Sequence, residues 1–325
     1  MNSSISSFRG SEWKVLVAVA LAVVALEIAS RMMAPSLDSD RTHIHAFPEL
    51  IGEMKNADQP RVLAYGNSLL KFGLDEDLLA EELTEATAAL CHVTKITPVG
   101  TAVRDWNYLY ETYFTRTDTH PEVVVIGFVA HHLPDDGELK MRRLARHFCS
   151  SANLWACLRE ETTNFDARVV GILSHLSAIY GDQYELQWGS VHWFVPEYSQ
   201  EVRKINRWLD DQDARAVRTK AKTAKSPPQE APPKTYRQLA HLIAQFKEHG
   251  VRAYFVPMPQ PEIWKLDPAM VETVNQGGAT MVDARAIAGM TKEDFSDGYH
   301  LGKSGTKKFT SFLAKVLAAE LGDQE

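Results

Sequence analysis

Short apolar segments that alternate with amphipathic ones constrain the fold of this chain more than any other feature. The segments with strand-like composition are 61–66, 92–97, 122–127, 251–256 and 280–282. The segments with helical periodicity are 75–85, 105–114, 236–249 and 303–321. The stretch 122–127 is almost wholly apolar, as in strands that are buried on both faces of a parallel sheet. We therefore expect an α/β protein with a doubly wound parallel sheet.

This alternation stops between residues 139 and 234. The first part, to about residue 213, has a helical character without a strand pattern, and residues 215–233 are rich first in lysine and then in proline. Such a composition resists helix and strand alike, so we predict a helical insertion followed by a surface linker. The aromatic residues Trp188, Trp193 and Phe194 are open to two interpretations: core packing, or contacts with a sugar or an acyl chain.

The N-terminus contains an apolar run that is close to the length a bilayer requires. Residues 15–26 are all apolar, and apolar neighbours extend the run to roughly 20 residues. Glu27 and Arg31 are four residues apart, so they can pair on one helix face or reach the membrane surface. The run predicts a single-pass anchor in the inner membrane with the body on the periplasmic side. A cleaved signal peptide is the alternative.

These patterns divide the chain into successive regions. We predict an anchor or signal peptide (1–34), a connecting segment (35–60), the first part of the α/β domain (61–138), the insertion with its linker (139–234), and the second part of the α/β domain (235–325).

Charge and cysteine content exclude some classes of function. The chain of 325 residues has a formal net charge of -7, which argues against nucleic-acid binding. The cysteines, Cys91, Cys149 and Cys157, lack metal-site spacing. Cys149 and Cys157 are close enough in sequence for either a local disulfide or two unpaired thiols.

A serine follows the first predicted strand, in the sequence Gly66-Asn67-Ser68. Ligands of open α/β sheets bind at the carboxyl ends of the strands, and a helix that begins there offers backbone amides to an oxyanion. Ser68 is therefore a candidate nucleophile for acyl transfer. The alternative is an ordinary turn with a helix cap.

An acid and a base lie close together near the far end of the chain. Asp297 precedes His300 by three residues in a glycine-bearing loop ahead of the last helix. A serine hydroxyl needs a base, and the base needs an acid that orients it. We predict that His300 accepts the Ser68 proton and that Asp297 holds the imidazole. The alternative is a turn cap beside a surface histidine.

Together these motifs resemble the blocks of the SGNH (GDSL-like) hydrolase family. Gly66-Asn67-Ser68 resembles block I, Gly100 block II, and Asp297-Gly-Tyr-His300 block V. The resemblance is closest to the bacterial membrane-anchored branch, because Gly73-Leu74-Asp75 follows the serine. It implies a flavodoxin-like three-layer α/β/α fold, Ser68 as the nucleophile, and the backbone amides of Ser68 and Gly100 as oxyanion donors.

Block III departs from the family pattern. The family has a Gly-x-Asn-Asp phrase whose asparagine donates to the oxyanion, whereas the third strand here is followed by Ala130, His131 and His132. Loss of one such donor costs about 2.7 to 4 kcal/mol of transition-state stabilisation. His131 is the candidate substitute, since an imidazole can donate a hydrogen bond. A metal site formed by His131, His132, Asp135 and Asp136 is a weaker alternative, and we expect no metal or cofactor.

Other residues are candidates for contact with substrate. They are Asn67 beside the nucleophile, His132, and Pro257 after the fourth strand. We expect an esterase or O-acyltransferase that acts on small acyl esters, such as acetyl esters, of a cell-envelope carbohydrate or lipid. A non-catalytic scaffold or glycan-binding protein of a polysaccharide export system is the alternative, which the altered block III permits.

Overall fold

A parallel sheet forms the centre of the protein. The structure, a computed structural model, describes residues 10–36, 39–58, 60–187 and 234–322. The described sheet has five strands in the order β2-β1-β3-β4-β5, all parallel. They are β1 (Arg61–Tyr65), β2 (His92–Ile96), β3 (Val123–Phe128), β4 (Arg252–Pro257) and β5 (Thr280–Met281). This order is that of flavodoxin-like folds, so the predicted fold class is confirmed.

Helices cover both faces of the sheet. They are α2 (Ser39–Asn56), α3 (Ser68–Gly73), α4 (Glu76–Thr87), α5 (Val103–Tyr113), α10 (Arg237–Glu248), α11 (Pro268–Gly277) and α12 (Lys303–Gly322). Alternate residues of each strand face opposite sides. Leu63 and Tyr65 of β1 pack with α2, α5, α10 and α11. Val62 and Ala64 pack with α3, α4 and α12 on the other side.

The described part of the insertion is helical. It contains α6 (Met141–Arg143), which continues into a π-helical turn, followed by α7 (Leu154–Glu161), α8 (Phe165–Leu176) and α9 (Ala178–Gly181). The predicted aromatic contacts of Trp188, Trp193 and Phe194, and the linker at 215–233, lie outside the described residues. The predicted domain limits stay predictions.

The N-terminal helix is α1 (Gly10–Met33). Within the described ranges it is the one helix long and apolar enough to cross a membrane, with a mean hydropathy of 2.2. Its apolar side chains are exposed. A signal sequence has the same length and composition, so these properties agree with both alternatives above. The expected pair is present, because Arg31 Nε lies 2.7 Å from Glu27 Oε1.

Residues 35–60, expected to be a connecting segment, consist largely of helix α2. Ile44, Phe47, Ile51 and Met54 are buried along one side of this helix. Their spacing of three and four residues is that of a helix with one apolar face. The connecting segment is therefore part of the core.

A buried ionic cluster joins α2 to the insertion. Asp182, fully buried, accepts hydrogen bonds from His147 at 2.7 Å and from Arg146 at 3.1 Å, and Arg41 of α2 lies 3.1 Å away. Burial alone would raise the pKa of Asp182, but the His147 bond and the two guanidinium groups lower it to about 2. The carboxylate is thus ionised and tightly held.

We predict that Asp182→Ala lowers the free energy of unfolding by about 3 kcal/mol, because it removes the carboxylate that pairs with buried Arg146 and one carboxylate partner of Arg41, which also pairs with Glu185. Urea unfolding of the full chain in detergent measures this. Asp283→Ala is the control. Asp283 pairs with Arg285 but its own side chain is about half exposed, so we expect the free energy of unfolding to fall by less than about 1 kcal/mol. Equal losses in the two variants would contradict the prediction.

Candidate active site

Ser68 lies at the carboxyl edge of the sheet, where β1 turns into α3. The turn is tight, since a Cβ at Gly66 would lie 3.1 Å from the carbonyl oxygen of Gly127 in β3. Asn67 adopts an extended backbone and caps α3, because its side-chain oxygen accepts a hydrogen bond from the Leu69 N–H at 3.0 Å. Ser68 is therefore the first residue of a helix, as the sequence indicated.

Asn67 itself is buried and is held by backbone groups. Its exposed fraction is 1%, and its amide nitrogen donates to the Thr101 carbonyl at 3.4 Å. The observed contacts fix the position of the neighbouring Ser68. The predicted contact of Asn67 with substrate stays a prediction.

A short turn carries both the acid and the base. Phe295 and Leu301 pair as an antiparallel bridge, and Gly298 between them has a φ of +80°, which favours glycine. Asp297 Oδ1 accepts the backbone N–H groups of Tyr299 at 3.0 Å and His300 at 2.7 Å. These local hydrogen bonds set the direction of both side chains.

The structure brings Ser68, His300 and Asp297 into one hydrogen-bonded chain. His300 Nε2 lies 3.1 Å from Ser68 Oγ, and His300 Nδ1 lies 2.8 Å from Asp297 Oδ2. Burial opposes ionisation of Asp297, but the hydrogen bonds from the His300 ring and from the backbone of the turn keep its pKa below the ordinary value. An ionised acid, an imidazole and a hydroxyl in this order can move a proton away from the hydroxyl.

Asp294, a second acid, holds the same loop in place. It is buried and bonds to Lys308 Nζ of α12 at 2.7 Å, and it also accepts the Thr291 N–H at 2.8 Å. The bond to Lys308 lowers the pKa of Asp294 to about 2. Asp294 therefore connects the loop to the last helix.

The loop of Gly100 is tied to the nucleophile turn. Gly100 has a φ of +66°, which favours glycine. Thr101 Oγ1 donates to the Pro98 carbonyl at 2.7 Å, lies 3.2 Å from the Gly66 carbonyl, and accepts the Trp106 indole N–H at 3.0 Å. The two predicted oxyanion donors, Ser68 and Gly100, thus belong to turns that share hydrogen bonds. The oxyanion role itself stays a prediction.

A carboxylate that the sequence analysis missed also supports this loop. Asp40, in the first turn of α2, accepts the Val99 N–H at 2.8 Å and pairs with Arg143 of the insertion at 2.6 Å and with Lys71 of α3 at 3.3 Å. Lys140 donates to the Gly100 carbonyl at 3.3 Å. No local motif marks these residues, because their partners are distant in sequence.

The block III residues lie after β3. His132 is buried and its Nδ1 accepts the Val129 N–H at 3.1 Å, and burial lowers its pKa to about 3. It is thus a neutral side chain that closes the turn, and its predicted substrate contact stays a prediction. Ala130 and His131 are exposed.

The remaining predicted residues have defined positions. Pro257 is the last residue of β4, opposite Phe128, and is buried. Its predicted contact with substrate also stays a prediction. Asp135 accepts hydrogen bonds from Thr235 and from the N–H groups of Arg237 and Gln238. In the part of the chain that the structure describes, no group of three or more His, Cys, Asp or Glu residues could hold a metal ion. Cys91, Cys149 and Cys157 are free and buried.

A cavity of about 890 Å³ opens beside the histidine. Phe72 and His300 line one side of it, and Phe72 contacts the imidazole edge to face with ring centroids 5.4 Å apart. Charged residues of α4 and α12 also line it, among them Asp77, Glu81, Lys303 and Lys307, whereas Ser68 lies outside its lining. The cavity is large enough for a ligand the size of a sugar.

Comparisons with known proteins give similarity to solved structures alone. No protein-family model and no curated protein matches the chain. A lipase/acylhydrolase from Enterococcus faecalis is 11% identical, with a TM-score of 0.40 over 80% of this chain and 96% of that chain. A catalytic mutant of an acetylxylan esterase from Geobacillus stearothermophilus is 12% identical, with a TM-score of 0.38 over 83% of this chain and 97% of that chain.

A putative acylhydrolase from Bacteroides fragilis is 8% identical, with a TM-score of 0.38 over 87% of this chain and 99% of that chain. Similarity at this level carries no information about activity or substrate. What this site can do therefore rests on its own geometry.

The two acids of the loop should respond differently to the same substitution. We predict that Asp297→Asn lowers the rate at which Ser68 reacts with an activated ester by about 10³- to 10⁴-fold, because the amide no longer stabilises the imidazolium. We expect its melting temperature to change little. Asp294→Asn is the matched control and should lower the melting temperature, since it removes the ion pair with Lys308.

The contribution of Asp294 to stability can also be tested by changing the pH. The Asp294 contribution to stability is complete above the unfolded carboxyl pKa of about 3.9. It is lost as the pH falls through the folded value of about 2. Stopped-flow acylation measures the loss of reactivity in Asp297→Asn. Thermal unfolding measures the loss of stability in Asp294→Asn and, for the wild type, at low pH. A large loss of reactivity in Asp294→Asn at unchanged stability would contradict these assignments.

Proposed function

We propose that this protein is a serine-dependent esterase or O-acyltransferase whose catalytic residues are Ser68, His300 and Asp297. The observation that carries the proposal is the hydrogen-bonded chain from Ser68 Oγ through the imidazole to Asp297. Residues that are far apart in sequence meet here in the order of nucleophile, base and orienting acid.

The first half of the reaction forms an acyl-enzyme. Ser68 Oγ attacks the carbonyl carbon of the ester, and its proton passes to His300 Nε2. The C–O bond to the alcohol then breaks, and the alcohol leaves with the proton from His300. Asp297 stabilises the positive imidazolium between these two transfers.

The second half releases the acyl group. Water, or the hydroxyl of an acceptor, attacks the acyl carbon and gives its proton to His300, and Ser68 regains a proton as the acyl–enzyme bond breaks. Attack by water makes the protein an esterase, whereas attack by an acceptor hydroxyl makes it an acyltransferase.

Oxyanion stabilisation comes from backbone amides in this proposal. The N–H groups of Ser68 and Gly100 are the donors, held by the hydrogen bonds of Thr101 and Asp40 described above. His131, exposed after β3, is the proposed third donor in place of an asparagine. With a weaker third donor, we expect turnover to be slow.

The proposed substrate class follows from the side of the membrane on which the catalytic body would lie. We assign α1 as an inner-membrane anchor that holds the catalytic body in the periplasm. The substrates would then be small acyl esters, acetyl esters among them, of a cell-envelope carbohydrate or lipid. The partner would be polysaccharide biosynthesis or export machinery.

Covalent labelling tests the nucleophile directly. A fluorophosphonate probe should label the wild-type chain at Ser68 and should not label Ser68→Ala. His300→Ala should react at least about 100-fold more slowly, because the hydroxyl has lost its base. Labelling is read by gel fluorescence and by mass spectrometry of the modified peptide.

Two outcomes of this experiment would change the assignment. Unlabelled wild type, with near-UV circular dichroism showing a folded chain, would favour a non-catalytic scaffold or glycan-binding protein. Labelling that persists in Ser68→Ala would place the nucleophile elsewhere. Transfer of a labelled acetyl group to a glycan acceptor, compared with release to water, separates acyltransferase from esterase.

The altered block III gives a gain-of-function prediction. We expect Ala130→Asn to raise the acylation rate about 10-fold or more, because the side-chain amide adds an oxyanion donor. Ala130→Asp has the same shape without the amide donor and should give no increase. Stopped-flow kinetics with p-nitrophenyl acetate measures both variants, and equal rates would remove Ala130 from the oxyanion region.

A further inference from the structure

The end of α1 is fastened to the insertion by its two charged residues. Glu27 accepts hydrogen bonds from the backbone of Ala178 at 2.7 Å and from the Ser177 hydroxyl at 2.9 Å. Arg31 donates to the Leu176 carbonyl at 2.7 Å. The junction between α8 and α9 therefore lies at the level of the last turns of α1, where the apolar run ends.

Helix α8 carries an exposed apolar face that begins at this junction. The face consists of Phe165, Val169, Leu173 and Leu176. Phe165 is 78% exposed, Leu173 42% and Leu176 63%. Their spacing places them within roughly 100° of the helix circumference. On the opposite side, Gly171 and Ser174 are buried against the body.

We propose that this apolar face of α8 lies on the lipid bilayer beside α1, so that the anchored body rests on the membrane in one orientation. The proposal rests on α1 as a membrane span, which is part of the proposed function. A bilayer is the occupant that fits, because the Arg31–Leu176 bond brings the Leu176 end of the face against the last turns of α1, whose apolar side chains are exposed. Contiguous exposed apolar side chains mark such contacts, and helices of this kind bury one face in the interface.

The same orientation brings the catalytic edge of the sheet close to the lipid. Asp40, in the first turn of α2, binds Val99 beside Gly100 and Lys71 in the nucleophile helix. Even fully extended, the chain from Met33 at the end of α1 to Ser39 at the start of α2 spans no more than about 20 Å. The esters that reach Ser68 are then those presented at the membrane surface.

Fluorescence quenching by lipids tests the contact. The full chain is reconstituted in liposomes with a single NBD label at Leu176→Cys, and a lipid spin-labelled near the top of its acyl chain is the quencher. Leu90→Cys is the matched control. Leu90 is 62% exposed, but it lies just before β2, at the amino ends of the strands and not at the carboxyl edge that carries Ser68. Ala22→Cys in α1 reports insertion of the anchor. The native cysteines are buried, and the labelled wild type gives their background.

We expect quenching at Leu176 to be at least about threefold that at Leu90 and similar to that of a shallow interfacial site. Quenching at Ala22 without quenching at Leu176 would leave the anchor in place and overturn the proposal. If neither is quenched, the membrane span fails together with the proposal, while fluorophosphonate labelling still tests the serine chemistry by itself. Near-UV circular dichroism shows that each labelled variant is folded.

Discussion

The hydrogen bond between His300 Nε2 and Ser68 Oγ, 3.1 Å long, is the contact on which the chemistry proposed for this protein depends. It joins two loops that have no sequence proximity and meet because parallel strands end at one edge of the sheet. Each loop is built locally: Asn67 caps the helix that starts at Ser68, and Asp297 binds the backbone of the turn that carries His300. The sheet then aligns the loop of Ser68 with the loop of His300.

Much of this arrangement could be predicted from the sequence because its signals are local. Apolar runs marked β1 to β4, and the chain from Asp297 to His300 is one turn whose geometry follows from a few backbone hydrogen bonds. The strand order is the one expected, and Ser68 and His300 lie within hydrogen-bond distance of each other. The roles of the site residues stay predictions.

Other parts could not be predicted because their signals are distant. Helix α2 contains Pro48 and several charged and histidine residues, which masked the helical spacing of its apolar residues Ile44, Phe47, Ile51 and Met54. Asp40 belongs to no sequence motif, and its structural role follows from its contacts with Val99 and Arg143. Thr101 likewise is an ordinary residue until its contacts with Pro98 and Trp106 are seen. A buried cluster such as that around Asp182 also depends on three separate segments.

Because the acid and the base lie in one turn, the contacts among the three site residues should break in a definite order on heating. The Asp297–His300 pair is maintained by hydrogen bonds within a few residues, whereas its hydrogen bond with Ser68 joins segments that are 232 residues apart and requires the intact sheet edge. Gentle heating should therefore separate the nucleophile from a dyad that is still assembled. Such an inactivated form would recover at once on cooling, since nothing in the turn itself would need to be rebuilt.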